Sequence, residues 1–246
     1  MIQFLVSAVI FWFVELLFIA GVILIWHRNE RIAFAPGVDI AVSFLTWIPW
    51  VLAYCLTGFY GVAGCVIGQF IAMQVFCFWH WKRSGHKGAS ICGPLNRMVG
   101  AKSNNFALIA TLPALPAFLL IRFSQWTTYP ILVRTIKLPP YVQSEWVSVS
   151  RQKFHGLVGH DLIWCLYCDW MTGIYALGGE MLRNLESFWC PIKFYPGKKC
   201  ENCKLDFPDI EHWVPADGTM EDVEKKLVEK YEGRKWNSWW GHSDRK

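Results

Sequence analysis

Five cysteines carry the strongest chemical signal in this chain. Cys165 and Cys168 form a CxxC unit inside WCLYCDW, Cys200 and Cys203 form a second inside PGKKCENCKLD, and Cys190 stands before Pro191 between them. Tetrahedral zinc takes four thiolate or imidazole ligands, and two CxxC units supply four. The same sulfurs would hold an iron–sulfur cluster, with Cys190 as an alternative ligand, or would work as a redox dithiol. A redox CxxC usually opens a helix, where the amide dipole lowers the thiol pKa. Cys165 instead falls well inside a stretch expected to be helical, which weighs against that use. Core packing at 165 and 168 is the plain alternative. Zinc is the expected cofactor.

The two units differ in local chemistry. In PGKKCENCKLD, Gly197 and Asn202 favour a tight turn that aims backbone amides at sulfur, while Lys198, Lys199 and Lys204 favour the thiolate. This short segment is similar to the knuckles of zinc-ribbon and rubredoxin-like sites, with Lys204 standing where such knuckles commonly have glycine. On a helix, Cys165 and Cys168 share a face that Asp161 and Thr172 extend. Asp169 lies close by, and Trp164, Tyr167 and Trp170 would keep the site dry.

Other polar residues offer less. His155 and His160, five apart, do not share a helix face and are expected to be satisfied or exposed. Glu180 and Glu186 are expected on a solvated face. Cys55, Cys65 and Cys77 lie in apolar runs, where free cysteine packs as a small hydrophobe, and Cys92 has no assigned role. Glu15 is an ionisable group at membrane depth, a functional hypothesis by default. A transporter or membrane enzyme would work near it or near Asp161. No phosphate-binding loop, nucleophile elbow, zinc-protease helix or dinucleotide-binding glycine pattern occurs, so the reading leans away from an enzyme and names no catalytic residue.

The elements that must position these groups follow from composition. The 246 residues are 54% hydrophobic and 17% charged, against about a quarter charged in an average soluble domain. Most charges lie beyond residue 82, and tryptophans flank the apolar runs as interfacial anchors do. Ile2–Trp26 is one span; it lacks a basic leader and is too long for a cleaved signal core. Residues 38–81 are long enough for two spans, with a break expected near Thr57–Gly61. Residues 106–123, with Pro113 and Pro116, are a kinked span or a re-entrant segment. Gly61, Gly64, Gly68 and Ala72 recur at helical spacing as a small face for a close helix partner.

The expected fold class is mainly α: an integral membrane protein with three or four apolar helical segments and a small cysteine-rich C-terminal domain at the membrane surface. Residues 1–124 form the membrane region, 125–140 a linker or interfacial segment, and 141–246 the polar domain. Within the last, 153–187 is expected to be helical with a weak point at Gly178–Gly179. Thr219–Gly233 is an amphipathic helix with a capping pattern at Thr219 and Asp222.

The loop 82–104 carries Lys82, Arg83, Lys87, Arg97 and Lys102 without an acid, which orients it toward the cytoplasm of a plasma or inner membrane. Four full spans would put the polar domain on the other side, and a re-entrant 106–123 would keep it cytoplasmic. A fifth span at 157–178 is disfavoured by Asp161 and Asp169. The lipid bilayer is the expected partner. Nucleic acid is not, because no surface interleaves basic and aromatic residues. The leading reading is an accessory or assembly protein.

Overall fold

The structure is a computed structural model that describes residues 2–85, 90–154, 156–193 and 210–232, with side chains 26–28 left aside. Among the described residues the chain is helical, with two isolated bridges and no strand. Three helices, Ile2–Ile25 within the first, Phe59–Ser84, and the run Ala101–Thr135, are long and apolar enough to cross a membrane. By length and composition the chain is an integral membrane protein. It divides into two compact units, Met1–Pro113 with Gln143–Gly173, and Ala114–Val142 with Ile174–Lys246.

The first unit is built on α1 (Ile2–Arg28), α2 (Gly37–Leu45), α3 (Trp47–Thr57) and α4 (Phe59–Ser84). The expected break near Thr57–Gly61 falls at Gly58, whose φ of 69° is a conformation glycine adopts without strain. The small face of α4 is filled by α1 of the same chain. A Cβ on Gly64 would strike the carbonyl oxygen of Phe4, and one on Gly68 would lie 2.5 Å from that of Ala8 and 2.9 Å from the Trp12 nitrogen. Gly61 instead backs onto Thr57 and Ala53.

This pairing fixes a direction. Moving from Gly64 to Gly68 moves the contact from Phe4–Ala8 to Ala8–Trp12, so α1 and α4 run parallel. Two parallel spanning helices require the chain between them to recross the membrane. The α2–α3 pair, bent by 45° at Thr46, is the segment between them that is apolar enough for such a crossing. Its 21 residues reach about 30 Å, the thickness of the hydrocarbon core.

The bend frees backbone carbonyls in an apolar setting, and Gln69 of α4 satisfies them. Its Nε2 donates to Thr46 O at 3.2 Å and Leu45 O at 3.4 Å, and to Glu15 Oε1 at 2.8 Å. Trp50 Nε1 donates to Gln69 Oε1. Glu15, 2% exposed, is therefore held in a polar knot centred on Gln69, between α1, α3 and α4. The sequence offered no obvious partner for this acid, because Gln69 is 54 positions away.

The unit is completed by α5 (Cys92–Val99), α6 (Ala101–Thr111), a single turn α8 (Gln143–Trp146) and the first half of α9 (His160–Trp189). Ala35 N–H donates to Val147 O at 2.9 Å and Val149 N–H to Ala33 O at 2.8 Å. Trp170 of α9, 1% exposed, donates from Nε1 to Asp39 Oδ1 at 3.0 Å.

In the second unit α7 (Leu115–Thr135) packs against the remainder of α9, where Gln125 Nε2 donates to Ile174 O at 2.8 Å, and α10 (Met220–Tyr231) meets the end of α9, where Tyr231 OH donates to Phe188 O at 3.2 Å. Residues 125–135 of the segment expected as a linker or interfacial stretch are helical, with Pro130 inside the helix. Helix α9 begins at His160 rather than near 153, after positive-φ glycines at 156 and 159. It continues unbroken through Gly178–Gly179, where a weak point was expected. Gly178 serves close packing: a Cβ there would lie 3.0 Å from Ile121 Cγ2 and 3.3 Å from Gln125 Nε2.

Glu180 corrects another expectation. It is buried, not solvated, with Tyr141 OH donating to Oε1 at 3.4 Å and Arg183 Nη1 paired to Oε2 at 3.1 Å. Asn184 bonds to Tyr141 OH beside it, and the buried Lys230 donates from Nζ to Ser187 O at 2.6 Å. The capping box at α10 is present: Asp222 N–H donates to Thr219 Oγ1 at 3.3 Å, and Asp222 Oδ2 accepts from Thr219 N–H at 2.9 Å. Those bonds to Thr219 hold the Asp222 carboxyl below its ordinary pKa.

Candidate functional site

A cleft of about 910 Å³ opens in the first unit, and Cys92, Arg151, His160, Asp161, Cys165 and Cys168 are among the residues that line it. Two turns of α4 from Gln74 to Trp81 form one wall, α5 and α6 a second, and the first three turns of α9 a third. The wall is mostly apolar, with Phe78, Trp81, Leu108 and Trp164 among its side chains.

Polar bonds between distant segments hold the walls together. Gly159 N–H donates to His80 Nδ1 at 3.2 Å, His160 Nε2 bonds Gln74 Oε1 at 3.0 Å, and Asp161 Oδ2 accepts from Ile91 N–H at 2.9 Å. His160 is thus a satisfied histidine, as expected, and Asp161 anchors the segment before α5 rather than standing free.

Cys165 and Cys168 lie in the second and third turns of α9, on the face toward the cleft. Both are unpaired, and Cys168 is exposed. Because the helix starts later than expected, Cys165 sits nearer its N-terminus than the sequence implied. Arg151, in the short turn Arg151–Lys153, reaches this pair. Cys168 first, and then Asp169, whose Oδ1 lies 3.3 Å from Nε, hold its guanidinium in the charged form. Asp169 Oδ2 also accepts from the backbone N–H groups of Ser150 and Arg151, at 2.8 and 3.1 Å. It therefore positions the turn that carries the arginine.

Cys92 joins the same cleft, although no local pattern assigns it a role. It begins α5, with Gly93 and Pro94 in the first helical turn, where a proline costs no hydrogen bond. Its Sγ accepts from Asn96 Nδ2 at 3.3 Å and Asn104 Nδ2 at 3.5 Å, and Asn104 donates to Asn96 Oδ1 at 2.8 Å. Neither Cys92 nor Arg151 carries a local signal of membership. Each is brought in by a turn whose course depends on packing.

Of the other expected ligands, Cys190 is a free, exposed thiol directly after the last residue of α9, in the second unit. Cys200, Cys203 and His155 lie outside the described residues. Among the described residues no three His, Cys, Asp or Glu side chains converge as a metal site would require. Cys165 and Cys168 offer two sulfurs, half of a tetrahedral set.

No family model, curated protein or solved structure matches this chain. Its function rests on its own residues.

Proposed function

We propose that this is a membrane-anchored accessory or assembly protein, not an enzyme, with a cysteine-rich region at the membrane surface that holds one structural zinc ion. Cys165, Cys168, Cys200 and Cys203 are its ligands. The observation that supports the reading is the placement of Cys165 and Cys168 as free thiols, three apart, on one face of α9. The assignment of the second pair rests on ligand count and on the turn chemistry of PGKKCENCKLD. Bound zinc would neutralise the thiolates and cross-link their segments.

Protein purified anaerobically without chelator is expected to hold one zinc ion per chain by elemental analysis. Cys165→Ser and Cys200→Ser are each expected to lower that content, whereas Cys55→Ser leaves it unchanged. Wild-type protein with well under one ion per chain would overturn the proposal.

One observation favours a second reading. Arg151 stands beside Cys168, and a neighbouring cation is a feature of redox-active thiols. On that reading the CxxC pair is a dithiol, or ligates an iron–sulfur cluster. The same preparation separates the cases: a cluster is brown and absorbs visible light, and a dithiol holds no metal and closes to a disulfide when the two-electron oxidant diamide is added.

We further propose a plasma or inner membrane location with loop 82–104 in the cytoplasm. Parallel α1 and α4 put Arg31, Lys82 and Arg83 at one end of the bundle, while residues 53–61 at the other end carry no charge. That asymmetry supports the orientation. A membrane-impermeant maleimide on Ser103→Cys, in an otherwise cysteine-free variant, is expected to react only after cell lysis. Reaction in intact cells would reverse the assignment.

A further inference from the structure

We propose that the cleft binds an anionic glycerophospholipid, with an acyl chain against its apolar wall and the phosphate at its basic rim. Three observations converge. The cleft lies at the end of a spanning helix: its α4 wall runs from Gln74 to Trp81, and Lys82 and Arg83 follow at once. Those two turns give about 10 Å of depth, a third of the hydrocarbon core, which suits the upper part of an acyl chain entering from the interface.

The second observation is α5. None of its residues is buried, and Leu95, Met98 and Val99 are exposed along with Ile91 just before it. A short helix with polar residues on one side and exposed apolar residues on the other lies in the plane of the interface. The cleft therefore opens at headgroup level rather than toward bulk water.

The third is charge. Lys82, Arg83, Arg97 and Lys102 are all exposed, and they interleave in sequence with the lining residues Trp81, Ser90, Leu95 and Asn104. No acid occurs between residues 82 and 104. Asp161, which lines the cleft, accepts from the Ile91 N–H, and Asp169 pairs with Arg151. An apolar slot flanked along the chain by four exposed cations favours a molecule with one apolar and one anionic end. At the membrane surface that molecule is an acidic phospholipid.

Cys92 reports occupancy without involving the proposed zinc ligands. Full-length protein is reconstituted in nanodiscs of phosphatidylcholine, alone or mixed with phosphatidylglycerol. N-ethylmaleimide modification of Cys92 is followed by peptide mass spectrometry. Phosphatidylglycerol is expected to slow modification about fivefold, as a site four-fifths occupied would. Ser103→Cys, exposed in the same region, is expected to be slowed little. Arg97→Gln with Lys102→Gln, both at exposed positions, is expected to remove the protection. Leu108→Trp, which fills the cleft, is expected to slow Cys92 in either lipid.

Equal Cys92 rates in the two lipids would overturn the proposal, as would equal slowing at Ser103→Cys, which would mark a general surface effect. Protection by millimolar inorganic phosphate in phosphatidylcholine discs would overturn it too, because the site would then recognise the anion without the chain.

Discussion

Gly68→Leu is expected to abolish the folded membrane protein. A Cβ at this position already lies 2.5 Å from the Ala8 carbonyl oxygen and 2.9 Å from the Trp12 nitrogen. Both are backbone atoms of α1, which cannot rotate aside as a side chain can. Overpacking in a core costs about 1–3 kcal/mol when neighbours adjust, and a clash with backbone belongs at or above the top of that range. The damage also spreads. Separating α1 from α4 pulls Glu15 away from Gln69 and leaves its buried carboxyl without that amide donor.

An unmet polar group in the hydrocarbon core costs several kcal/mol. Gly68→Leu should therefore give little monodisperse protein in mild detergent, with any survivor melting well below wild type. Val66→Leu, on a partly exposed face of the same helix, should behave like wild type. If the two variants express and melt alike, α4 does not pack against α1 through its small residues.

Trp170→Ala should be the most damaging single change in WCLYCDW. Trp170 is among the largest fully buried side chains in the molecule, and its indole N–H is bonded to the fully buried Asp39. Truncating a buried tryptophan costs about 3–5 kcal/mol through lost burial and the cavity left behind. Removing the donor from a buried carboxylate adds to that cost. Trp170→Phe separates the two effects, because it keeps most of the volume and loses only the hydrogen bond; it should fall between wild type and Trp170→Ala. Trp164→Ala, at the cleft wall, should cost less than either. Melting temperatures of the purified variants in one detergent decide the order. A Trp164→Ala variant less stable than Trp170→Ala would mean that the helix turns its other face to the core.

The order Trp170 before Trp164 divides WCLYCDW by role. Its final tryptophan is core, whereas its two cysteines look into the cleft three residues apart. Both facts follow from helical periodicity once the helix is placed. Neither indicates what stands opposite, and the expected solvated position of Glu180 failed for that reason. A glutamate among Gly179, Met181 and Arg183 has the local character of a surface residue, and Tyr141, 39 positions earlier, is what encloses it.

The apolar runs, the break at Gly58, the small face of α4 and the cap at Thr219 are legible along the chain, because each follows from spacing, turn chemistry and side-chain size within a few residues. That α1 and α4 run parallel and that Gln69 answers Glu15 became visible only in the folded chain. The tertiary structure alone also brought Cys92 and Arg151 to the cleft with Cys165 and Cys168. These are contacts between segments tens of residues apart. Their free energy comes from excluding lipid and water between surfaces, and no local pattern in either segment encodes which surfaces will meet.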